Sequence, residues 1–570
     1  MKIKHLLIVA LLSAPFVGSA QTSRPFVETI GEPNAWVDSV FQKLSRRQRV
    51  AQLFMIRAHT DKGKRFEDSV ANIIKKEDIG GLVFFQGGPG RQAALTNRYQ
   101  SLAKVPLLIA MDAEWGLGMR LDSTISYPYQ MTLGAIQDNK LLYEMGREVA
   151  LDFKRLGMHV NFAPVADINN NPKNPVIGYR SFGDNKYNVA AKVAAYMRGM
   201  QDNDILVSLK HFPGHGDTDV DSHYDLPQLP FVRTRLDSLE LLPFREVIRE
   251  GASGVMVAHM NIPALDSTAN LPSTLSRPII TGILKNELLF KGLIFSDAME
   301  MKGVVKFFPN GEADVLAVIA GNDILELSEN SKRAVNLIRK AVRQGRISRE
   351  QINASVKKVL TAKYWAGLNN MDSLKTTNVA EELHRPEALA LNQKLADAAV
   401  TVLNSDSLIR GIDYSKKTAI ISIGPKELTL LQKELTPRFT NATNFIVAKN
   451  ATASDISNVV NELKNYEQVI LALYDTRKRP GPVLDYSNDV KLLASQIAAM
   501  NSIVTVFANP YSIAGLPGIE NAKTLIMNYQ SGDEMQRASL KVITGEIKAS
   551  GKMPVTVNTF FKNGNGIAQQ

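Results

Sequence analysis

The chain contains no cysteine. That excludes disulfides, thiolate chemistry, cysteine-ligated metals and a lipid carried on an N-terminal cysteine. Beyond the N-terminus no apolar run is long enough to cross a bilayer, so a mature chain without a transmembrane segment is expected. Low-complexity tracts and short-period repeats are absent too. The net charge is +11, yet lysines and arginines are dispersed and form no long basic block. With no aromatic-interleaved basic surface, nucleic acid is not an expected partner. The charge reads as a solvated surface, or more sharply as attraction to an anionic envelope polymer. Histidine is scarce at 8 residues, and three of them, His211, His215 and His223, fall within residues 210–223.

What is present begins with a leader pattern. Lys2, Lys4 and His5 precede an apolar stretch at 6–17, and Gly18, Ser19 and Ala20 are small. This predicts a secretory signal peptide at 1–20, cleaved after Ala20. Export without disulfides means that the cores alone must hold the fold. Together these point to a bacterial periplasmic or cell-envelope location. A length of 570 residues with 45% hydrophobic content suggests two or three domains with large cores.

Eight short apolar runs follow, at 51–56, 81–85, 106–111, 159–164, 205–209, 254–258, 292–295 and 323–327. They lack strict polar alternation, as strands buried on both faces do. Amphipathic stretches such as 140–156 and 236–249 separate them. Alternating strand and helix implies parallel pairing, and eight such units predict a (β/α)8 TIM-like barrel. Polar residues cluster where the runs end: Asp112 and Glu114, Asp167, Lys210 and His211, His259, Ser296 and Asp297, and Glu326. In a barrel those ends converge on one mouth, where active sites sit. A basic helix over 329–366 should close the barrel, and 371–395 reads as a linker. Runs at 399–403, 419–423, 445–448, 469–473, 503–508 and 524–527 then predict a C-terminal αβα sandwich with a mostly parallel sheet at 396–570. No glycine fingerprint follows its first strand, so dinucleotide binding is unsupported.

The densest chemistry lies at 210–223. Gly214 and Gly216 permit unusual backbone angles and Pro213 restricts another, which predicts a shaped loop leaving strand five. Asp221 and His223 are two residues apart, a spacing at which a carboxylate can fix an imidazole tautomer. Histidine suits general acid/base work because its ordinary pKa of ~6.5 lies near neutrality. Spacing alone leaves three readings open: an acid/base dyad, a hydrogen-bonded structural loop, and a metal site of His211, His215, His223 and a carboxylate. Pro213 and Gly214 argue against the helix that a four-residue histidine spacing would need to bind zinc. Asp297, where strand seven meets the mouth, adds a carboxylate of the kind a retaining glycosidase uses as nucleophile, ~5 Å from its acid/base. Glu300 is its competitor, and a helix N-cap is the bland alternative for Asp297.

At these residues the sequence resembles bacterial β-N-acetylglucosaminidases of glycoside hydrolase family 3. The family pattern K-H-F/S-P-G-H-G-x4-D-S/T-H matches 210–223 at every fixed position, and S-D-x-x-x-M matches Ser296 and Asp297 through Met301. Segments 271–276, 320–323, 545–546 and 551–555 also look like family segments. The resemblance implies a catalytic barrel at 21–370 that releases terminal β-linked N-acetylglucosamine with retention, without metal or cofactor. It implies Asp297 as nucleophile, His223 as acid/base and Asp221 as its partner. Asp112, Arg120, Arg180, Lys210 and His211 would bind the sugar. Carbohydrate is then the partner, with peptidoglycan fragments first and chitin-type oligosaccharides second, and with water or phosphate as acceptor. One departure stands out: the family's D-Q/H-E-G-G after strand three is here Asp112, Ala113, Glu114, Trp115 and Gly116, so Trp115 alters the rim or the acceptor site.

Overall fold

The computed structural model describes residues 24–222 and 224–567. The expected signal peptide and His223 therefore lie outside the described residues.

Eight parallel strands build the first part: Phe54–Ala58, Gly81–Phe84, Leu108–Met111, Val160–Asn161, a split fifth strand of Leu206–Val207 and Leu209–Phe212, then Gly254–Val257, Leu293–Ser296 and Leu325–Glu326. Strands one to four, the first piece of five, and eight form one sheet; the second piece of five pairs with six, which pairs with seven. Bridges between Val165 and Lys210 and between Phe295 and Ile324 join the two sheets into a ring. The strands are buried on both faces because helices wrap them outside and the barrel core fills the inside. Helix Lys140–Arg155 shows how: Leu142, Met145, Val149 and Phe153 recur at helical spacing and are buried. It packs on Lys186–Gln201 where Gly146 meets Gly199; a Cβ at Gly199 would sit 2.1 Å from the Tyr143 carbonyl oxygen.

Several boundaries differ from the sequence reading, and two of them have a clear physical cause. The first strand begins at Phe54 rather than 51, because Ser45 and Gln48 form a capping box that carries helix Arg46–Ala51 up to the strand. Lys210 and His211 belong to strand five and not to the loop after it. The Lys210 amide donates to the Pro164 carbonyl at 3.3 Å, and its own carbonyl accepts from the Ala166 amide at 2.6 Å.

Within 371–395 lie the short helix Val379–Leu383 and much of helix Pro386–Ala399. The second part is a six-stranded sheet in the order Thr401–Asn404, Thr524–Met527, Ser502–Phe507, Gln468–Tyr474, Thr418–Ile423, Ala442–Val447. Only the pairing of the first two is antiparallel. Helices Pro386–Ala399, Asp533–Ile543 and Leu430–Leu435 pack together, and Ala453–Leu463 packs on Asn488–Ala498. The two parts share one continuous hydrophobic core. No helix among the described residues is long and apolar enough to cross a membrane.

Candidate active site

The charged residues at the mouth are set by strand ends. Asp112 and Glu114 follow strand three, and Lys210 projects from strand five between them. Lys210 Nζ donates to Asp112 Oδ1 at 2.7 Å and lies 2.9 Å from Glu114 Oε1. Arg120 donates to the other Asp112 oxygen at 2.5 Å. Arg180 grips Glu114 through Nε at 3.0 Å and a terminal nitrogen at 2.6 Å, and reaches the Val176 carbonyl at 3.2 Å. Burial alone would raise both carboxyl pKa values, but the surrounding cations outweigh it. Asp112 is held well below the usual range by Lys210 and Arg120, and Glu114 is lowered to about 2 by Arg180 and Lys210. Burial lowers the Lys210 pKa, yet Asp112 and Glu114 more than reverse this, so the ammonium stays charged. The result is a fixed array of ionised donors and acceptors, which suits hydroxyl groups because each hydroxyl both donates and accepts.

A second cluster centres on Asp167 after strand four. Its carboxylate accepts from the His211 amide at 3.1 Å and 3.2 Å, from the His215 amide at 2.7 Å, and pairs with His211 Nδ1 at 2.7 Å. Burial would raise the Asp167 pKa; His211 outweighs that and lowers it. The His211 ring is thus oriented through Nδ1. His215 has a different task. Its Nδ1 meets Thr218 Oγ1 at 2.8 Å and its Nε2 lies 3.4 Å from Ser222 Oγ, so the ring pins the loop from within. Burial, with His211 nearby, pushes its pKa down to about 4, so it is neutral at pH 7. Gly216 lets the loop pass close to strand four; a Cβ there would lie 1.7 Å from the Ile168 carbonyl oxygen. Asp221 opens the next turn, its carbonyl accepting from the amides of Tyr224 and Asp225 at 2.9 Å and 3.1 Å. Helix Lys302–Val305 braces this turn through the Gly303 amide, which donates to the Ser222 carbonyl at 3.4 Å. Among the described residues no three His, Cys, Asp or Glu side chains gather as a metal-binding set.

Asp297 stands where strand seven ends. Its amide donates to the Val257 carbonyl at 3.0 Å, tying it to strand six, and Oδ1 accepts from the Ala298 amide at 2.8 Å. Its charge is felt at both His215 and Glu326. Glu300, the competing carboxylate, turns instead to Arg57 at 2.5 Å. At the rim, Trp115 meets Tyr129 with ring centroids 4.8 Å apart, and Tyr129 meets Tyr179 at the same separation. The second part of the chain supports this rim. Gln530 Oε1 accepts from the Tyr129 amide and the Thr132 hydroxyl, each at 2.8 Å.

Residues 45–362 match the family model for the N-terminal domain of glycosyl hydrolase family 3. The chain belongs to glycoside hydrolase family 3. It is a glycoside hydrolase built on that family's two-part architecture. Similar family members include a β-hexosaminidase A of Pseudoalteromonas piscicida, 28% identical over 86% of this chain and 91% of its own. A β-hexosaminidase, LpqI, of Mycobacterium tuberculosis is 31% identical over 56% of this chain and 83% of its own. Among solved structures, a glycoside hydrolase family 3 β-N-acetylglucosaminidase from Paenibacillus superposes with a TM-score of 0.76 at 32% identity, covering 90% of this chain and 99% of that one.

The fold brings Asp112, Arg120, Lys210 and, through Glu114, Arg180 into one network, and places Asp297 across the mouth. His211 joins through Asp167. Asp221 lies on the loop above, and His223 falls outside the described residues. Sequence reasoning assigned no site role to Glu114, Asp167 or Glu326. The signal for all three is a carboxylate at the C-terminal end of an apolar run, and Glu114 also stands at the glutamate of the family segment after strand three.

Proposed function

We propose that this family 3 hydrolase is an exo-acting, retaining β-N-acetylglucosaminidase. Asp297 attacks the anomeric carbon and forms a glycosyl-aspartate. His223, partnered by Asp221, protonates the leaving oxygen and then activates water to release the sugar. Asp112, Arg120 and Lys210 hold hydroxyls of the terminal sugar, while Arg180 orients Glu114 and Asp167 orients His211. The observation that carries this reading is the ionised Asp112–Lys210–Glu114 network together with a strand-seven carboxylate, Asp297, near enough that Asp112 and Asp297 both act on Glu326. The β-hexosaminidase names of the similar proteins support the N-acetyl sugar. Export to a bacterial envelope would make peptidoglycan fragments the first substrate class and chitin-type oligosaccharides the second.

The test is mechanism-based trapping with a fluorinated N-acetylglucosamine-type glycoside, followed by peptide mass spectrometry. The label is expected on the peptide carrying Asp297, and Asp297→Asn should lose ~10³-fold or more in kcat. A label elsewhere with Asp297→Asn still active would overturn the assignment. His223→Gly should slow substrates with poor leaving groups far more than those with good ones, because only the former need protonation. Equal losses would count against an acid role.

A further inference from the structure

Glu326 ends strand eight, opposite Met55 of strand one in the ladder. Its amide donates to Ser296 Oγ at 2.9 Å, and its carbonyl accepts from the Met299 amide at 2.9 Å. It is therefore stitched on both sides of Asp297. The residue is 4% exposed, and its Oε2 is buried without a hydrogen-bond partner. Such a group demands an explanation, because an unpaired buried oxygen is costly.

The charged groups around it account for its state, element by element. Strand one offers Arg57, which is turned to Glu300. Strand three and its loop offer Asp112 and Arg120, already paired with each other. Lys210 of strand five bridges Asp112 and Glu114. His259 after strand six bonds Thr274 and the Ala298 carbonyl. Asp297 follows strand seven. Each cation named here is engaged by another carboxylate; Lys210 and Arg120 still pull the Glu326 pKa down, but burial and the charges of Asp112 and Asp297 outweigh them. Burial comes first and their repulsion second in raising its pKa well above the ordinary glutamate value.

We propose that Glu326 is a further substrate-binding residue of this mouth: a neutral carboxylic acid beside Asp112 and Asp297 that donates a hydrogen bond to the bound sugar. It would supply an uncharged donor beside the ionised Asp112, Lys210 and Glu114, and would add no negative charge beside the attacking carboxylate. This rests on the mouth being the sugar site described above.

Two variants of similar size separate the roles. Glu326→Gln keeps a donor and no charge, and Glu326→Met keeps bulk and no donor. Thermal melts at neutral pH establish that both fold. Difference infrared spectra of wild type against Glu326→Gln at pH 7 should show a protonated-carboxyl carbonyl band belonging to Glu326. Glu326→Gln should keep kcat/KM for an aryl N-acetylglucosaminide within about threefold, while Glu326→Met should lose about tenfold or more. The wild-type fall in kcat/KM at alkaline pH should be smaller in Glu326→Gln, since deprotonation of Glu326 can no longer contribute. Absence of the carboxyl band overturns the proposal, and so do equal losses in the two variants. The infrared measurement needs no turnover, so a wild type inactive on the aryl N-acetylglucosaminide would sink the N-acetylglucosaminidase reading while the carboxyl band still decides the protonation state.

Discussion

At the scale of single residues, the site depends on carboxylates that never need to touch substrate. Asp167 receives two backbone amides and one imidazole nitrogen. Asp167→Asn would replace one acceptor oxygen by a donor and turn the His211 ring. We expect kcat/KM to fall by about 10²-fold, because the imidazole loses the acceptor that fixes its tautomer and orientation. Steady-state kinetics on an aryl N-acetylglucosaminide would check this; unchanged kinetics would show that the His211 orientation is immaterial. Arg180 makes a parallel case for stability. Glu114 is fully buried and lowered to about 2, so its ionised state contributes stability above the ordinary glutamate pKa that is lost as pH falls towards 2. Arg180→Ala would strand part of that charge and should cost about 3–5 kcal/mol at pH 7, read from urea unfolding.

At the scale of elements, helix Arg349–Trp365 closes the barrel at the cost of burying a lysine. Lys363 Nζ reaches Gln52 Oε1 at 2.6 Å with no carboxylate beside it, and burial lowers its pKa to about 7. The folded protein thus releases a proton that the unfolded chain keeps until about pH 10.4, so stability rises as pH increases from 7 towards 10. Lys363→Met should remove this slope and raise stability at pH 6 by about 2 kcal/mol. Chemical melts at pH 6 and pH 9 would show it; a variant less stable at both would refute the burial argument. Strand positions were readable because each strand is a continuous apolar run flanked by polar turns. Ends were less readable where another signal competed. The Ser45 and Gln48 capping box shifted strand one, and backbone pairing with Pro164 and Ala166 drew Lys210 and His211 into strand five.

At the scale of the whole molecule, the C-terminal part clamps the barrel on the side of its third and fourth loops. Arg385 pairs with Glu148 at 3.0 Å and Asp152 at 2.8 Å, and Tyr511 accepts from Asn169 Nδ2 at 2.9 Å, two residues beyond Asp167. Gly183 has a φ of +135°, and a Cβ there would lie 2.1 Å from the Pro554 carbonyl oxygen. Its neighbour Asp184 receives the Thr556 amide at 2.7 Å. Gly183→Ala should force the two parts open and cost at least about 2 kcal/mol. Calorimetry should show a lowered Tm or two separated transitions; an unchanged single transition would mean that the junction yields without penalty.

The residue pattern alone determined the barrel, the sandwich and a mouth lined by Asp112, Glu114, Asp167, Lys210, His211, His259, Asp297 and Glu326, because burial on both strand faces and glycine-rich loop chemistry are local properties that a sequence displays directly. Tertiary structure alone decided how those residues are joined. Glu114, Asp167 and Glu326 act on partners dozens to hundreds of positions away, and a carboxylate's role depends on which cations the fold has already committed to others. The same holds for His215. Its four-residue distance from His211 was compatible with several chemistries, and only its contacts with Thr218 and Ser222 made it the pin of the loop.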